Sequence, residues 1–310
     1  MKVTVFTPSF NRCHTLPRVY KSLLSQTNQD FEWIIVDDGS KDDPIELVNK
    51  WQSENRLNIR FIRQSNKGKF TTLIETIGRA NGEWFLIADS DDEFDANTID
   101  VFLNTYYVQP HNVQIKLAGV SCLVKDSDTG EIVGDIYPLH IAKHEKFLIS
   151  DVIEICYKFG IRGEKWGILK TSVLKEFATN LLDLNGAKYI SEDVLWIPIA
   201  NKYKTIFINT ALRTYYQGTS DTLSYSNIAG RYPLGVVISE KIVLPYIYKY
   251  IINRPKDILR RLIKLNYAAI AIGKSLPHTI CGFPIGLKIL AVAMRPIAYI
   301  ALWKYPLQNI

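Results

Sequence analysis

Cysteine is scarce in this chain of 310 residues: Cys13, Cys122, Cys156 and Cys281 are scattered with no paired spacing. That excludes a disulfide framework and a cysteine-based zinc site, and it fits a reducing compartment. No glycine-rich phosphate fingerprint follows the first apolar run, residues 3–6, so the ordinary dinucleotide-binding reading fails. No charged leader with an apolar signal core precedes that run either, and the expectation is a cytoplasmic protein. Long uninterrupted apolar runs are missing: residues 284–303 come nearest, but Lys288, Arg295 and Pro296 break them up. Acid all but vanishes towards the C-terminus. From Lys241 onward eleven Lys and Arg face one acid, Asp257, so the net charge of +6 hides a slightly acidic body with a strongly basic tail. Such a tail seeks an anionic surface.

What is present has the balance of a globular protein, with 47% hydrophobic and 22% charged residues. Strand-like runs at residues 2–7, 31–36, 58–63 and 84–88 alternate with helical spacing from Leu16, over 44–51 and over 70–79. Strand-helix units in that order predict a mostly parallel α/β sheet flanked by helices, with right-handed crossovers. All four strands then deliver polar loops to one edge: residues 7–12, Asp37 and Asp38, residues 66–69, and the acidic stretch after Ala88.

That stretch organises the chain. Asp89, Asp91, Asp92 and Glu93 place four carboxylates within five residues. They repel one another unless solvated or neutralised by a cation. At the carboxyl end of a buried strand, where open α/β sheets bind ligands, a hard divalent ion such as Mg²⁺ or Mn²⁺ suits oxygen-only ligands. The alternative is an acidic turn leading into the next helix, with Asp95 or Asn97 near its N-cap. A nucleotide would offer its base and ribose to carboxylates and its diphosphate to the metal, with Lys69 or Arg12 neutralising the remaining charge. A second acidic pair, Glu192 and Asp193, follows Ser191 and suits the positive end of a helix.

Elsewhere, residues 114–124 read as strand-rich, 126–130 as a turn and 131–136 as its hairpin partner. Residues 163–168 lead into a helix over 171–177. His140 and His144 share helical spacing but have no third ligand, and are read as surface residues. In the tail, residues 251–265 and 284–303 read as basic amphipathic helices lying among lipid headgroups, with Tyr299, Trp303 and Tyr305 as anchors. A helical subdomain packed on the body or on a second subunit is the other reading. Nucleic acid is disfavoured, because the acidic rim would repel it.

Thr-Pro-Ser-Phe-Asn-Arg, Val-Asp-Asp-Gly-Ser, Asn-Lys-Gly-Lys and Asp-Ser-Asp-Asp occur in that order within about the first 95 residues. Together they resemble the family 2 glycosyltransferases, which bind nucleotide-diphospho-sugars on a GT-A fold. The resemblance implies that Thr7, Pro8, Asn11, Arg12, Asp38, Lys69, Asp89 and Ser90 bind the donor. It implies that Asp91 ligates the metal, with Asp89 and Asp92 close by, and that Trp166 lies near the acceptor, although a core tryptophan is equally open there. Asp193, with Glu192 second, would be the base, and residues 215–224 the mobile loop.

The reading is therefore a GT-A domain over 1–232 with a helical extension over 233–310. It would be an inverting, metal-dependent transferase acting from a UDP-sugar onto a lipid-linked saccharide for O-antigen, capsule or related polysaccharide. It would work at the inner face of the cell membrane. A sugar nucleotidyltransferase is one alternative, weakened by the missing glycine- and arginine-rich loop; a non-catalytic GT-A-like binding module is another.

Overall fold

Residues 31–37 are apolar except at Glu32 and Asp37, as suits a strand covered on both faces, and each of them is buried in β2 (Phe31–Asp37). A computed structural model of the chain describes residues 2–141, 146–182, 184, 187, 189–216 and 228–304. β2 pairs in parallel with β1 (Val3–Ser9) and β3 (Ile59–Arg63), and β1 pairs in parallel with β4 (Trp84–Ile87). The crossovers are α1 (Leu16–Leu24), α2 (Ile45–Glu54) and α3 (Lys69–Arg79). Pro17 occupies the first turn of α1, where its missing N–H costs nothing.

The rest of the sheet departs from the sequence reading. After a short β5 (Glu93–Phe94) come α4 (Thr98–Tyr107), α5 (His111–Gln114), β6 (Leu117–Asp126), β7 (Leu148–Ser150), β8 (Lys165–Lys170), α6 (Thr171–Ala178) and β9 (Lys204–Tyr215). The order is β3-β2-β1-β4-β8-β6-β9-β5, with β7 on β9. The stretch expected only to lead into a helix is β8, antiparallel between β4 and β6. Its alternation buries Trp166 and Ile168 on one face. The expected hairpin partner at 131–136 contributes only the bridge of Ile132 to Lys125. Gly134, at φ 91°, turns instead against Gly163: a Cβ there would lie 2.4 Å from the Gly163 Cα. His140 is exposed in a short turn; His144 lies outside the described residues.

One apolar core under the sheet includes Val3, Val5, Val19, Trp33, Val48, Trp84, Phe102 and Ile168. Tyr20, Trp33 and Trp51 stack there with ring centroids 4.4 to 6.2 Å apart. Each such pair is worth about 0.5–1.5 kcal/mol beyond its buried area.

The chain divides into two compact units, and the boundary differs from one at residue 232. The first holds Met1–Val152, Ile161–Asp183 and Lys202–Gly218, and with them the whole sheet; the second holds Ile153–Gly160, Leu184–Asn201 and Thr219–Ile310. The second unit contains a π-helical turn (Glu154–Phe159) and nearly all of α7 (Asp193–Lys202). It continues with α8 (Ile228–Arg231), α9 (Pro233–Ile247), α10 (Pro255–Ala271), α11 (Leu276–Thr279) and α12 (Ile285–Lys304). The two inner segments belong with the tail because their side chains pack there. Tyr157 stacks on Tyr250, Tyr189 stacks on Tyr232, and the Ser191 N–H donates to Ser239 Oγ. Asn266 of α10 donates to the Ala291 carbonyl of α12. By length and composition α12 is a helix that can cross a membrane. Leu287, Ala291 and Ala298 face inward, while Ile285, Ile289, Val292, Ile300 and Trp303 are exposed.

Candidate active site

β2, β1 and β4 lie side by side and parallel, so the loops carrying Asp38 and Asp91 leave the same edge of the sheet. Polar bonds lace these loops together. Asn11 takes up a left-handed turn at φ 55°, which asparagine tolerates. Its N–H donates to Ser40 Oγ (2.9 Å), and its Oδ1 accepts the Lys41 N–H (2.8 Å). Asp38, 5% exposed, accepts the Lys67 N–H and Gln64 Nε2 on Oδ1 and the Gly68 N–H on Oδ2, each at 2.8 Å. It thereby fixes the entry to α3. From the first turn of α3, Lys69 Nζ reaches Asp89 Oδ1 at 2.9 Å.

The four acidic residues after β4 have different environments. Asp92 is 1% exposed; its Oδ1 lies 2.7 Å from Arg213 Nε, and its Oδ2 accepts the Asp89 N–H. Burial pushes the Asp92 carboxyl up to about 8 against the pull of Arg213. Burial also opposes the charge on Arg213, but Asp92 and Asp89 outweigh it and hold the guanidinium above its ordinary value. For Asp89, burial is outweighed by Lys69 and Arg213, which hold it below the usual carboxylate range. Glu93 accepts the Tyr216 hydroxyl. Only the Asp91 carboxylate has no hydrogen bond or ion pair among the described residues. Its backbone carbonyl is held by Arg18 (2.7 Å), whose guanidinium lies 3.5 Å over the Tyr216 ring.

No three His, Cys, Asp or Glu group into a cage among the described residues. The open Asp91 carboxylate and the Asp89 oxygens fit Mg²⁺ or Mn²⁺, which take one or two carboxylates and complete the shell with phosphate oxygens and water. Asp92 does not fit that role, because its oxygens are committed to Arg213 and to the turn itself.

Two other expectations need correction. Thr7 shares the inward face of β1 with Val3 and Val5, and its hydroxyl accepts the Trp33 indole N–H at 2.9 Å, so it presents nothing to a ligand. Trp166, 7% exposed, stacks on Phe94 at 4.8 Å and donates its indole N–H to the Ile87 carbonyl at 2.6 Å. It is the core tryptophan of the two readings, and it braces both ends of the acidic turn. Asn97 occupies the N-cap position of α4, as expected; its side chain makes no cap bond there, and the Thr98 hydroxyl donates to the Asp95 carbonyl. Pro8 and Arg12 are half-buried at the rim, Ser90 is buried within the acidic turn, and Arg12 has no side-chain partner among the described residues. Residues 217–224 of the expected mobile loop lie outside the described residues. Sequence reasoning missed Arg213, Arg18 and Gln64, whose partners stand 121, 73 and 26 positions away.

Within the second unit, Asp193 opens α7, and the Ser191 hydroxyl approaches its N–H at 3.4 Å. Asp193 Oδ2 accepts two bonds from Arg261 of α10, at 3.0 and 2.9 Å. Glu192 stands beside it at the head of the helix.

Residues 4–123 match the family model described as Glycosyl transferase family 2. The chain is 27% identical over 245 residues to the GalNAc(5)-diNAcBac-PP-undecaprenol beta-1,3-glucosyltransferase of Campylobacter jejuni, covering 78% of this chain and 74% of that protein. Over 141 residues it is 29% identical to an uncharacterised glycosyltransferase of Rickettsia felis, spanning 44% of this chain but only 23% of that longer protein. Among solved structures, S. aureus TarS 1-349 in complex with UDP-GlcNAc gives a TM-score of 0.58 at 17% identity, covering 98% of this chain and 88% of that one. GalNAc-T7 with UDP, GalNAc and Mn²⁺ gives 0.59 at 13%, covering 99% and 59%. At such identities the structures establish the fold alone. Together with the laced loops at the sheet edge, these matches place residues 4–123 in glycosyl transferase family 2, within a chain built on the GT-A fold.

Proposed function

We propose that the protein transfers a sugar, with inversion, from a UDP-sugar to a lipid-linked saccharide during assembly of a bacterial surface polysaccharide such as O-antigen or capsule. The observation that carries this reading is the sheet edge where Asp91 stays uncommitted while Lys69 and Arg12 bring positive charge to the same rim. A divalent ion held by Asp91 and Asp89 would neutralise charge on the donor diphosphate. Asn11 and Asp38 shape the base and ribose end. Lys69, released from Asp89, and Arg12 pair with phosphate oxygens. At the acceptor, the hydroxyl oxygen attacks the anomeric carbon as the bond to the diphosphate breaks. The electron pair leaves with UDP, and the hydroxyl proton passes to Asp193.

The test is metal-dependent stabilisation and turnover with a panel of UDP-glucose, UDP-galactose and UDP-GlcNAc. Turnover that survives both EDTA and Asp91→Ala overturns the metal reading. Asp193→Asn should abolish transfer while leaving donor affinity intact; normal turnover moves the base elsewhere.

The lipid-linked acceptor is met at the inner face of the membrane, where α12 lies in the headgroup plane. Its exposed side is apolar, with Ile285 75% and Trp303 88% exposed, and Lys288 and Arg295 flank it. Spanning is disfavoured because α12 packs along α10, and Arg254, Lys256, Asp257, Arg260, Arg261 and Lys264 would have to follow it into lipid. Vesicles of phosphatidylglycerol and phosphatidylethanolamine should float the protein in a salt-sensitive way, and Ile289→Glu with Trp303→Glu should abolish flotation. Resistance to alkaline extraction would make α12 a span.

A further inference from the structure

In the second unit a guanidinium from the basic tail lies between two carboxylates with different surroundings. Glu240 of α9 is 2% exposed, and its Oε2 lies 2.7 Å from Arg261 Nε; Lys264 stands 3.7 Å from its other oxygen. Asp193 is 39% exposed at its side chain and takes both terminal nitrogens of Arg261 on Oδ2 alone. An arginine paired only for cohesion favours the fork-to-fork arrangement, with one nitrogen on each oxygen. Here the end-on arrangement leaves Asp193 Oδ1 without a partner among the described residues. The Tyr157 hydroxyl, 3.4 Å from Arg261, closes the remaining side. Burial works against the charge on Arg261, but Glu240, Asp193 and Tyr157 hold it firmly protonated.

We propose that Arg261 is a positioning residue: anchored by buried Glu240, it fixes Asp193 by Oδ2 so that Oδ1 is the atom that takes the acceptor's proton. This rests on the reading of Asp193 as the base. It also makes the basic tail part of the transfer machinery, because the group that aims the base is carried by α10. The acceptor O–H breaks as its oxygen bonds the anomeric carbon. Its proton ends on Oδ1, and Arg261 keeps its own protons throughout.

The test compares Arg261→Lys, Arg261→Ala, Arg261→Gln, and Arg261→Gln combined with Glu240→Gln in the full chain. The single glutamine variant strands a buried Glu240 charge and risks misfolding; the double variant removes that charge by an isosteric change at Glu240, so it isolates the loss at Asp193. The assay is turnover of whichever panel UDP-sugar stabilises the wild type most, with water as acceptor. The double variant should bind donor with unchanged affinity and lose about 10- to 100-fold in kcat, since misplacing a reacting group by an ångström costs that much. Arg261→Lys should recover part of the rate, and added methylguanidine should raise the rate of Arg261→Ala. A folded double variant with wild-type kcat, or no response to methylguanidine, overturns the positioning role. The proposed base stands or falls separately, on Asp193→Asn.

Discussion

At the residue scale, the acidic turn depends on Arg213. Asp92 is buried against it, so Arg213→Met strands an unpaired carboxylate and should cost about 3–5 kcal/mol. Adding Asp92→Leu should restore most of that loss, because an apolar pair replaces a buried ionic one at little cost. Urea denaturation of the two variants checks this, and equal losses would show that Arg213 acts through Asp89 instead. At the opposite edge of the sheet, Glu32 gives a pH prediction. Burial alone would raise its carboxyl, but Arg60, the Asn81 N–H and the Thr4 hydroxyl outweigh burial and leave it below the ordinary value. A depressed folded value means that this stabilisation is complete above pH about 4.5 and is lost as pH falls below it. Glu32→Gln should therefore be less stable at pH 7, by about 1–3 kcal/mol, and should show a flatter loss between pH 5 and 3 in thermal melts. Asp38, Asn11 and Asp91 were legible because each sits in a polar loop that ends a strand. Arg213 was not, since a single arginine inside a strand reads the same whether it meets solvent or a buried aspartate.

At the element scale, β4 and the turn after it show how far a local pattern reaches. The apolar run announced a buried strand, and the abrupt acids announced a ligand edge. What holds the turn in shape comes from β8, where Trp166 ties down Ile87 and stacks on Phe94. Trp166→Phe should keep most of the packing and lose one buried hydrogen bond. The expected outcome is about 1–2 kcal/mol lower stability with weaker metal-dependent donor binding in calorimetry. A variant that instead raises only the acceptor KM would put the ring in the acceptor subsite. α12 shows the opposite balance: an apolar run broken by Lys288, Arg295 and Pro296 suggested a helix, while its apolar exposed side was visible only once Leu287, Ala291 and Ala298 had partners.

At the scale of the whole molecule, the unit boundary changes how the tail is tested. A chain ended after Tyr232 deprives Ile153–Gly160 and Leu184–Asn201 of the helices they pack with, and Asp193 of Arg261. Such a truncation should aggregate or lose all turnover, whereas Ile289→Glu with Trp303→Glu should lose only membrane flotation. Size-exclusion chromatography with donor hydrolysis separates the two. A soluble, fully active 1–232 fragment would refute the assignment of those segments to the tail.

The amino-acid order by itself determined the parallel strand-helix units, the polar loops at one edge and the basic tail, because periodicity and the repulsion of neighbouring charges act over a few residues. Tertiary structure alone decided which carboxylate stays open, which tryptophan is core, and that the segment bearing Asp193 folds with the C-terminal helices. Those outcomes depend on partners brought together from as far as 121 positions away, and no local pattern records which distant side chain will meet which.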